Sequence, residues 1–215
     1  MDTLLFIGGM DYKKAHRLTG LILALFIAAH LLNHAMSLFG PRAHIDFMNA
    51  LRGVYRHPLV EPVLLGVVLA HLASGLRLAI RKRKTAMTGF DRLQVGSGLY
   101  LAGFLGIHLT AVLAGRYWLN LDTNFYFGVA GLNTFPLNLF FVPYYGLAIM
   151  AVVGHLAAVH ARKMKRSVGG LTPSLQARIL LVLGLLLTLL IFYGLTNGFR
   201  GVEIPEEYEV LTGRG

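Results

Sequence analysis

Apolar residues run along this chain in five blocks, each close to the roughly 20 residues that a membrane-crossing helix requires. They cover about Leu18 to Phe39, Val60 to Ile80, Leu93 to Ala114, Tyr144 to Ala161 and Ala177 to Tyr193. Between them lie polar or mixed connections of unequal length. This pattern predicts an all-α integral membrane protein of five transmembrane helices.

Composition narrows the reading. With 55% hydrophobic and 14% charged residues and a mean hydropathy of +0.61, the chain is too apolar for an ordinary soluble domain. The polar stretch Asp11 to Arg17 precedes the first block and no small-residue cleavage pattern follows it, so the first block is expected to be a retained span. Cysteine is absent, which excludes thiolate metal sites, cysteine-held iron–sulfur clusters and haem attached through CxxCH.

Charge gives an expected orientation. Arg81-Lys-Arg-Lys84 follows the second span and Arg162-Lys-Met-Lys-Arg166 follows the fourth, whereas the connections after the first and third spans are longer and richer in aromatics, Gly, Asn and Pro. Basic loops face the cytoplasm, so residues 1–17 read as a cytoplasmic N-terminal segment, 18–197 as the transmembrane domain and 198–215 as an outer tail. The net charge of +10 then divides into +11 on cytoplasmic segments and −1 on outer ones. Topology accounts for the basicity, and a nucleic-acid partner is not expected, because basic residues interleaved with stacking aromatics are missing. The acidic tail Glu203 to Glu209 reads as solvated, and Tyr117, Trp118, Tyr126 and Phe127 in the third connection as interfacial anchors.

The spans also repeat. Gly20-Leu-x-Leu-Ala-x-Phe-x-x-x-His30-Leu31 in the first recurs as Gly98-Leu-x-Leu-Ala-x-Phe-x-x-x-His108-Leu109 in the third, 78 residues on. More weakly, His71-Leu-Ala-Ser in the second recurs as His155-Leu-Ala-Ala in the fourth, 84 residues on. Spans one and two are therefore the template of spans three and four, while the fifth lacks histidine. Both copies run in the same direction, unlike the inverted repeats of many transporters.

An ionisable side chain inside a span costs on the order of 2.5 kcal/mol or more unless it finds partners, so intramembrane histidines are functional candidates. The bland alternative is a neutral imidazole bridging helices. Measured from the nearest cytoplasmic charges at 1.5 Å per residue, His30 and His108 lie roughly 20–24 Å deep, and His71 and His155 roughly 10–15 Å. That gives one outer pair and one inner pair. His160 competes with His155, which is favoured because it shares the repeat with His71. His34, His44 and His57 fall at or beyond the outer boundary, where hydrogen bonding or propionate contact fits better than axial ligation. A zinc or iron ion on His30 and His34 is the rival reading, but no in-span Asp, Glu or Cys completes a shell.

Two helix-borne imidazoles facing each other at equal depth are what a bis-histidine haem b requires. The small residues Ala28, Ala29, Gly75, Gly103, Gly106 and Gly154 beside the histidines suit either a flat cofactor or close helix packing. Arg17, at the cytoplasmic mouth, is a candidate for an inner propionate or quinone contact. Arg52, Arg56, His57 and Glu61 before the second span are candidates for outer propionates and for handling quinone protons.

His16-Arg-Leu-Thr-Gly20 opening the first span, one intramembrane histidine in each of the first four spans and a histidine-free fifth resemble the dihaem cytochrome b anchor of bacterial succinate dehydrogenases and fumarate reductases, in its single-polypeptide form. The resemblance runs from about Tyr12 to Asn197. It implies a four-helix haem-binding bundle plus a fifth helix, two haem b with iron held axially by His30 and His108 and by His71 and His155, and a quinone (menaquinone or ubiquinone) as bound substrate. It further implies a bacterial cytoplasmic membrane, docking to an iron–sulfur subunit and a flavoprotein subunit on the cytoplasmic side, and no catalytic dicarboxylate site on the chain itself. Two alternatives use the same residues: a free-standing dihaem cytochrome b serving a hydrogenase, a formate dehydrogenase or superoxide, and a haem-free transporter or structural protein.

Overall fold

The computed structural model describes residues 11–82 and 87–213, so Arg83 and Lys84 of the second-span basic cluster lie outside the described residues. Its helices are α1 (Tyr12–Ala35), α2 (Pro41–Tyr55), α3 (Val60–Lys82), α4 (Gly89–Tyr117), α5 (Phe125–Val129), α6 (Asn138–Lys163) and α7 (Pro173–Leu195), with no strand among the described residues. Five of them, α1, α3, α4, α6 and α7, are long and apolar enough to cross a membrane. The protein is an all-α, multi-pass membrane protein. The helices outrun the apolar blocks at both ends because capping and charged residues extend each one past the hydrocarbon.

Caps and breakers in the sequence set the helix ends. Asp11 accepts from the backbone N–H of Lys13 at 3.0 Å and starts α1. Thr88 and Asp91 form a reciprocal capping box at the start of α4. Thr172, followed by Pro173 at the first helical position, opens α7. At the far end of α1 a 3₁₀ turn, Met36–Phe39, leads to Gly40 at φ +99°, a left-handed position that suits glycine, and Pro41 then begins α2.

Helices α1 and α3 pack as one hairpin and α4 and α6 as another, with α7 against α6 and α1. These hairpins are the two copies of the repeat. At the end where α1, α4 and α7 begin, buried Asp91 takes ion pairs from Lys82 on α3 at 3.2 Å and Arg162 on α6 at 3.2 Å, which joins the two hairpins. Arg162 also bonds Gln94, and Arg81 bonds Tyr12. We call this the basic end. At the opposite end Arg116 pairs with Glu61, and Arg52 on α2 pairs with Asp122 at 2.8 Å.

A cluster of large buried apolar side chains lies toward this second end. Phe125, Val129 and Leu132, from the long third connection, pack with Ile149, Ile191, Phe192 and Leu195. That connection is thus a folded plug, although its Tyr117 and Trp118 are exposed as an interfacial belt would be. Asn133 staples it, donating to the carbonyls of Val129 at 3.0 Å and Leu195 at 3.1 Å and accepting from Val202 N–H at 3.1 Å. The acidic tail folds back over the plug: Tyr208 is fully buried and donates to the Asp122 carbonyl at 3.0 Å. Burial pushes its phenol up to about 12.

Each buried hydrogen bond contributes about 1 kcal/mol, and more when its loss strands a partner. Asn133→Ala is therefore expected to cost roughly 2–4 kcal/mol, read as a lowered thermal midpoint in detergent, with helix content unchanged in the folded baseline.

Candidate functional site: two histidine tiers

Near the basic end the two hairpins repeat one arrangement. In the first, His71 on α3 directs Nδ1 to Thr19 Oγ1 on α1 at 3.0 Å. In the second, His155 on α6 directs Nδ1 to the Gln94 carbonyl at 3.2 Å and to Ser97 Oγ on α4 at 3.4 Å. Thr19 and Ser97, like His16 and Gln94, are 78 residues apart, the offset of the repeat. Glycine makes room in both: a Cβ at Gly20 would lie 3.0 Å from His71 Cε1, and one at Gly98 would lie 3.3 Å from His155 Cε1. For neither histidine does Nε2 have a hydrogen-bond partner among the described residues.

His16 joins this tier. Its ring stacks on His71 with centroids 4.0 Å apart and planes 13° apart, and its Nδ1 lies 3.3 Å from the His71 carbonyl and 3.2 Å from Ser74 Oγ. The second copy has Gln94 in its place. Gly75 is explained by this packing, since a Cβ there would meet His16 at 3.0 Å, and Gly154 by Leu93 at 3.3 Å. Gly103 and Gly106, by contrast, have no atom within 4 Å of a Cβ.

The second tier lies deeper, toward the α2 end. His30 on α1 and His108 on α4 face each other with ring centroids 6.2 Å apart. Each is backed by a phenylalanine one turn earlier, Phe26 on His30 and Phe104 on His108, with planes 9° and 12° apart. His34 and His44 belong here too. His34 Nε2 lies 3.2 Å from His30 Nε2, and its Nδ1 lies 3.4 Å from His44 Nε2, which Asn33 Nδ2 also reaches at 3.2 Å. The three imidazoles form a line. A line does not converge on one ion, and no group of three or more His, Cys, Asp or Glu that could hold a metal ion is found among the described residues.

The remaining candidates separate. His160 turns away to Gln176 on α7 at 2.8 Å. Arg17 is exposed with no partner among the described residues. His57 is exposed and accepts from Leu59 N–H at 3.3 Å, as a turn residue does. Arg56 donates to Thr123 Oγ1 at 2.7 Å. Arg52 stands out: besides its bond to Asp122, its Nε and Nη2 are buried and without a partner.

Thr19, Ser97, His16 and the His34–His44 line were missed by sequence reasoning. The first two were legible as an extension of the repeat by one residue before its first quoted glycine pair; the His34–His44 line depends on α2 folding back, which no pattern in the spans announces. No family model, curated protein or solved structure matches the chain.

Two outcomes test this geometry. Gly98→Ala is expected to be near neutral, because about 1 kcal/mol of helix propensity offsets a mild contact, and Gly20→Ala to be destabilising, because the His71 ring must shift; thermal unfolding of both variants decides. His44, outside the spans, is lowered from 6.5 to about 4 by burial first, then by His30 and Arg52. The unfolded chain therefore binds a proton that the folded one refuses, so His44 makes stability fall as pH drops from about 6.5 toward 4. His44→Gln should flatten that dependence in a pH series of thermal midpoints.

Proposed function

We propose that the chain is a membrane dihaem cytochrome b that relays electrons between a cytoplasmic iron–sulfur and flavoprotein succinate dehydrogenase or fumarate reductase and membrane quinone, with the basic end cytoplasmic. The observation that carries this reading is that the repeat-related His30 and His108 face each other across the two hairpins. With metal–nitrogen bonds of about 2 Å on either side, two imidazoles on one iron have ring centres roughly 6 Å apart, and His30 and His108 stand 6.2 Å apart.

At the tier near the basic end the donor set fits the group; in the deeper tier His30 Nε2 is held by His34 and would have to exchange that contact for the iron. His71 and His155 keep Nε2 without a protein partner while Nδ1 is bound, the division of labour expected of metal-ligating histidines. The two buried, unpartnered nitrogens of Arg52 suit a carboxylate such as an outer propionate. His160, engaged by Gln176, leaves His155 as the ligand from α6. When bound, the haems supply one-electron chemistry; the protein supplies ligation, a low dielectric and counter-charges.

The basic end, with Lys82, Arg162 and the neighbouring Lys163, Lys165 and Arg166, is the face that would meet the soluble partners. In this assembly the chain is the anchor and carries no dicarboxylate site. A free-standing dihaem cytochrome b with another redox partner uses the same histidines, so it differs only in what docks on that face.

The purified chain is expected to give about two haems b per polypeptide by pyridine haemochrome. His30→Ala, His71→Ala, His108→Ala and His155→Ala are each expected to retain about one, and His160→Ala both. Absence of a Soret band in the wild type, or full haem retention in the four variants, returns the protein to the transporter or structural class.

A further inference from the structure

We infer that Thr19 and Ser97 are matched positioning residues whose back-bonded hydroxyls accept from Nδ1–H of His71 and His155 and thereby raise the electron-donating strength of both axial ligands of the same haem. The inference rests on the dihaem reading, and it assigns roles to two residues which that reading leaves unused.

Proton bookkeeping gives the tautomer. The Thr19 hydroxyl donates to the Ala15 carbonyl at 2.8 Å, so a lone pair on Oγ1 is left for His71 Nδ1 at 3.0 Å. The Ser97 hydroxyl donates to the Leu93 carbonyl at 2.6 Å, and Ala15 and Leu93 are again related by the 78-residue offset. A carbonyl oxygen only accepts, so the 3.2 Å contact from His155 Nδ1 to the Gln94 carbonyl requires the proton to sit on Nδ1. On His71 the same follows from the Thr19 hydroxyl, which is committed as a donor to Ala15 and so accepts from Nδ1–H. Both rings are thus Nδ1–H donors, and Nε2 of each carries the free lone pair.

Helix geometry makes this arrangement rigid. A hydroxyl that back-bonds the carbonyl four residues earlier is locked in one rotamer. Both Thr19 and Ser97 are themselves buried, at 9% and 8% exposure, so water does not substitute for them. Gly20 and Gly98, one residue on, let the rings lie against the helix backbone where these acceptors are. The deeper tier has no such device, since His30 contacts His34 instead of a carbonyl or hydroxyl.

An acceptor on Nδ1–H makes the imidazole a stronger donor to a metal and favours the oxidised, more positive iron. Removing it shifts the midpoint potential of that haem upward. The test is a potentiometric titration of the haem α-bands in the purified full-length protein, with Thr19→Val, Thr19→Ser and Ser97→Ala beside the wild type, each first checked for two haems. Thr19→Val and Ser97→Ala, on different helices, are expected to move the same midpoint to more positive potential and leave the other unmoved. The shift should be larger for Thr19→Val, whose contact is the shorter, and Thr19→Ser should restore the wild-type value. Two haems with unshifted midpoints in both Thr19→Val and Ser97→Ala overturn the inference and leave the dihaem reading intact. A wild type without haem overturns that reading instead.

Discussion

A polar group inside hydrocarbon must find its partner within the protein, and the rest of this structure depends on how that constraint is met for imidazoles. Each neutral ring brings one donor and one acceptor. In the tier near the basic end the donor side is met from the adjacent helix of the same hairpin, by the Thr19 hydroxyl for His71 and by the Gln94 carbonyl and Ser97 hydroxyl for His155. That leaves the acceptor side of both rings without a protein partner among the described residues. In the deeper tier the same requirement is met by other histidines, His30 on His34 and His34 on His44. One constraint therefore yields two environments, one rigid and backbone-anchored, the other a chain of side chains that ends on α2.

Charge is arranged to suit the same constraint. Between the two ends the described spans carry histidines but hold their ion pairs at the rims: Asp91 with Lys82 and Arg162 at the basic end, Glu61 with Arg116 and Asp122 with Arg52 at the other. Ion pairs in contact with water contribute little individually. Here their value is positional, because Lys82 with Asp91 at one rim and Glu61 with Arg116 at the other tie the two hairpins together. The folded plug around Phe125 and Val129 performs the same task at the α2 end by burial.

What was legible in the sequence follows from what is local. Span number and approximate bounds come from hydropathy, which needs no knowledge of neighbours, and α1, α3, α4, α6 and α7 stand where the apolar blocks lie. The sorting of the histidines by depth is equally local, being a count of residues along one helix. The amphipathic α2 escaped notice because its apolar and polar residues balance; only when folded does one face present His44 and Met48 to the bundle while Arg42 and Asp46 meet on the other. Contacts such as Thr19 with His71, 52 residues apart, belong to no local pattern, and neither does the unsatisfied state of Arg52, which depends on what surrounds it.

The repeat explains why the site has this form. A single hairpin presents one histidine per tier, each facing the space that a partner hairpin fills, so one copy alone has no opposing imidazole. Two copies running in the same direction bring each histidine a counterpart at its own depth, which an inverted copy would pair with the wrong tier. Symmetry is retained where both members serve alike: the back-bonded hydroxyl, the glycine after it, and the phenylalanine one turn before the deeper histidine. It is lost at the margins, where His16 faces Gln94 and His34 corresponds to Val112, 78 residues on. The hydroxyl, glycine and phenylalanine pairs each lie against a tier histidine, while His16 and His34 add contacts peculiar to the first copy, His16 stacking on His71 and His34 reaching His30 and His44.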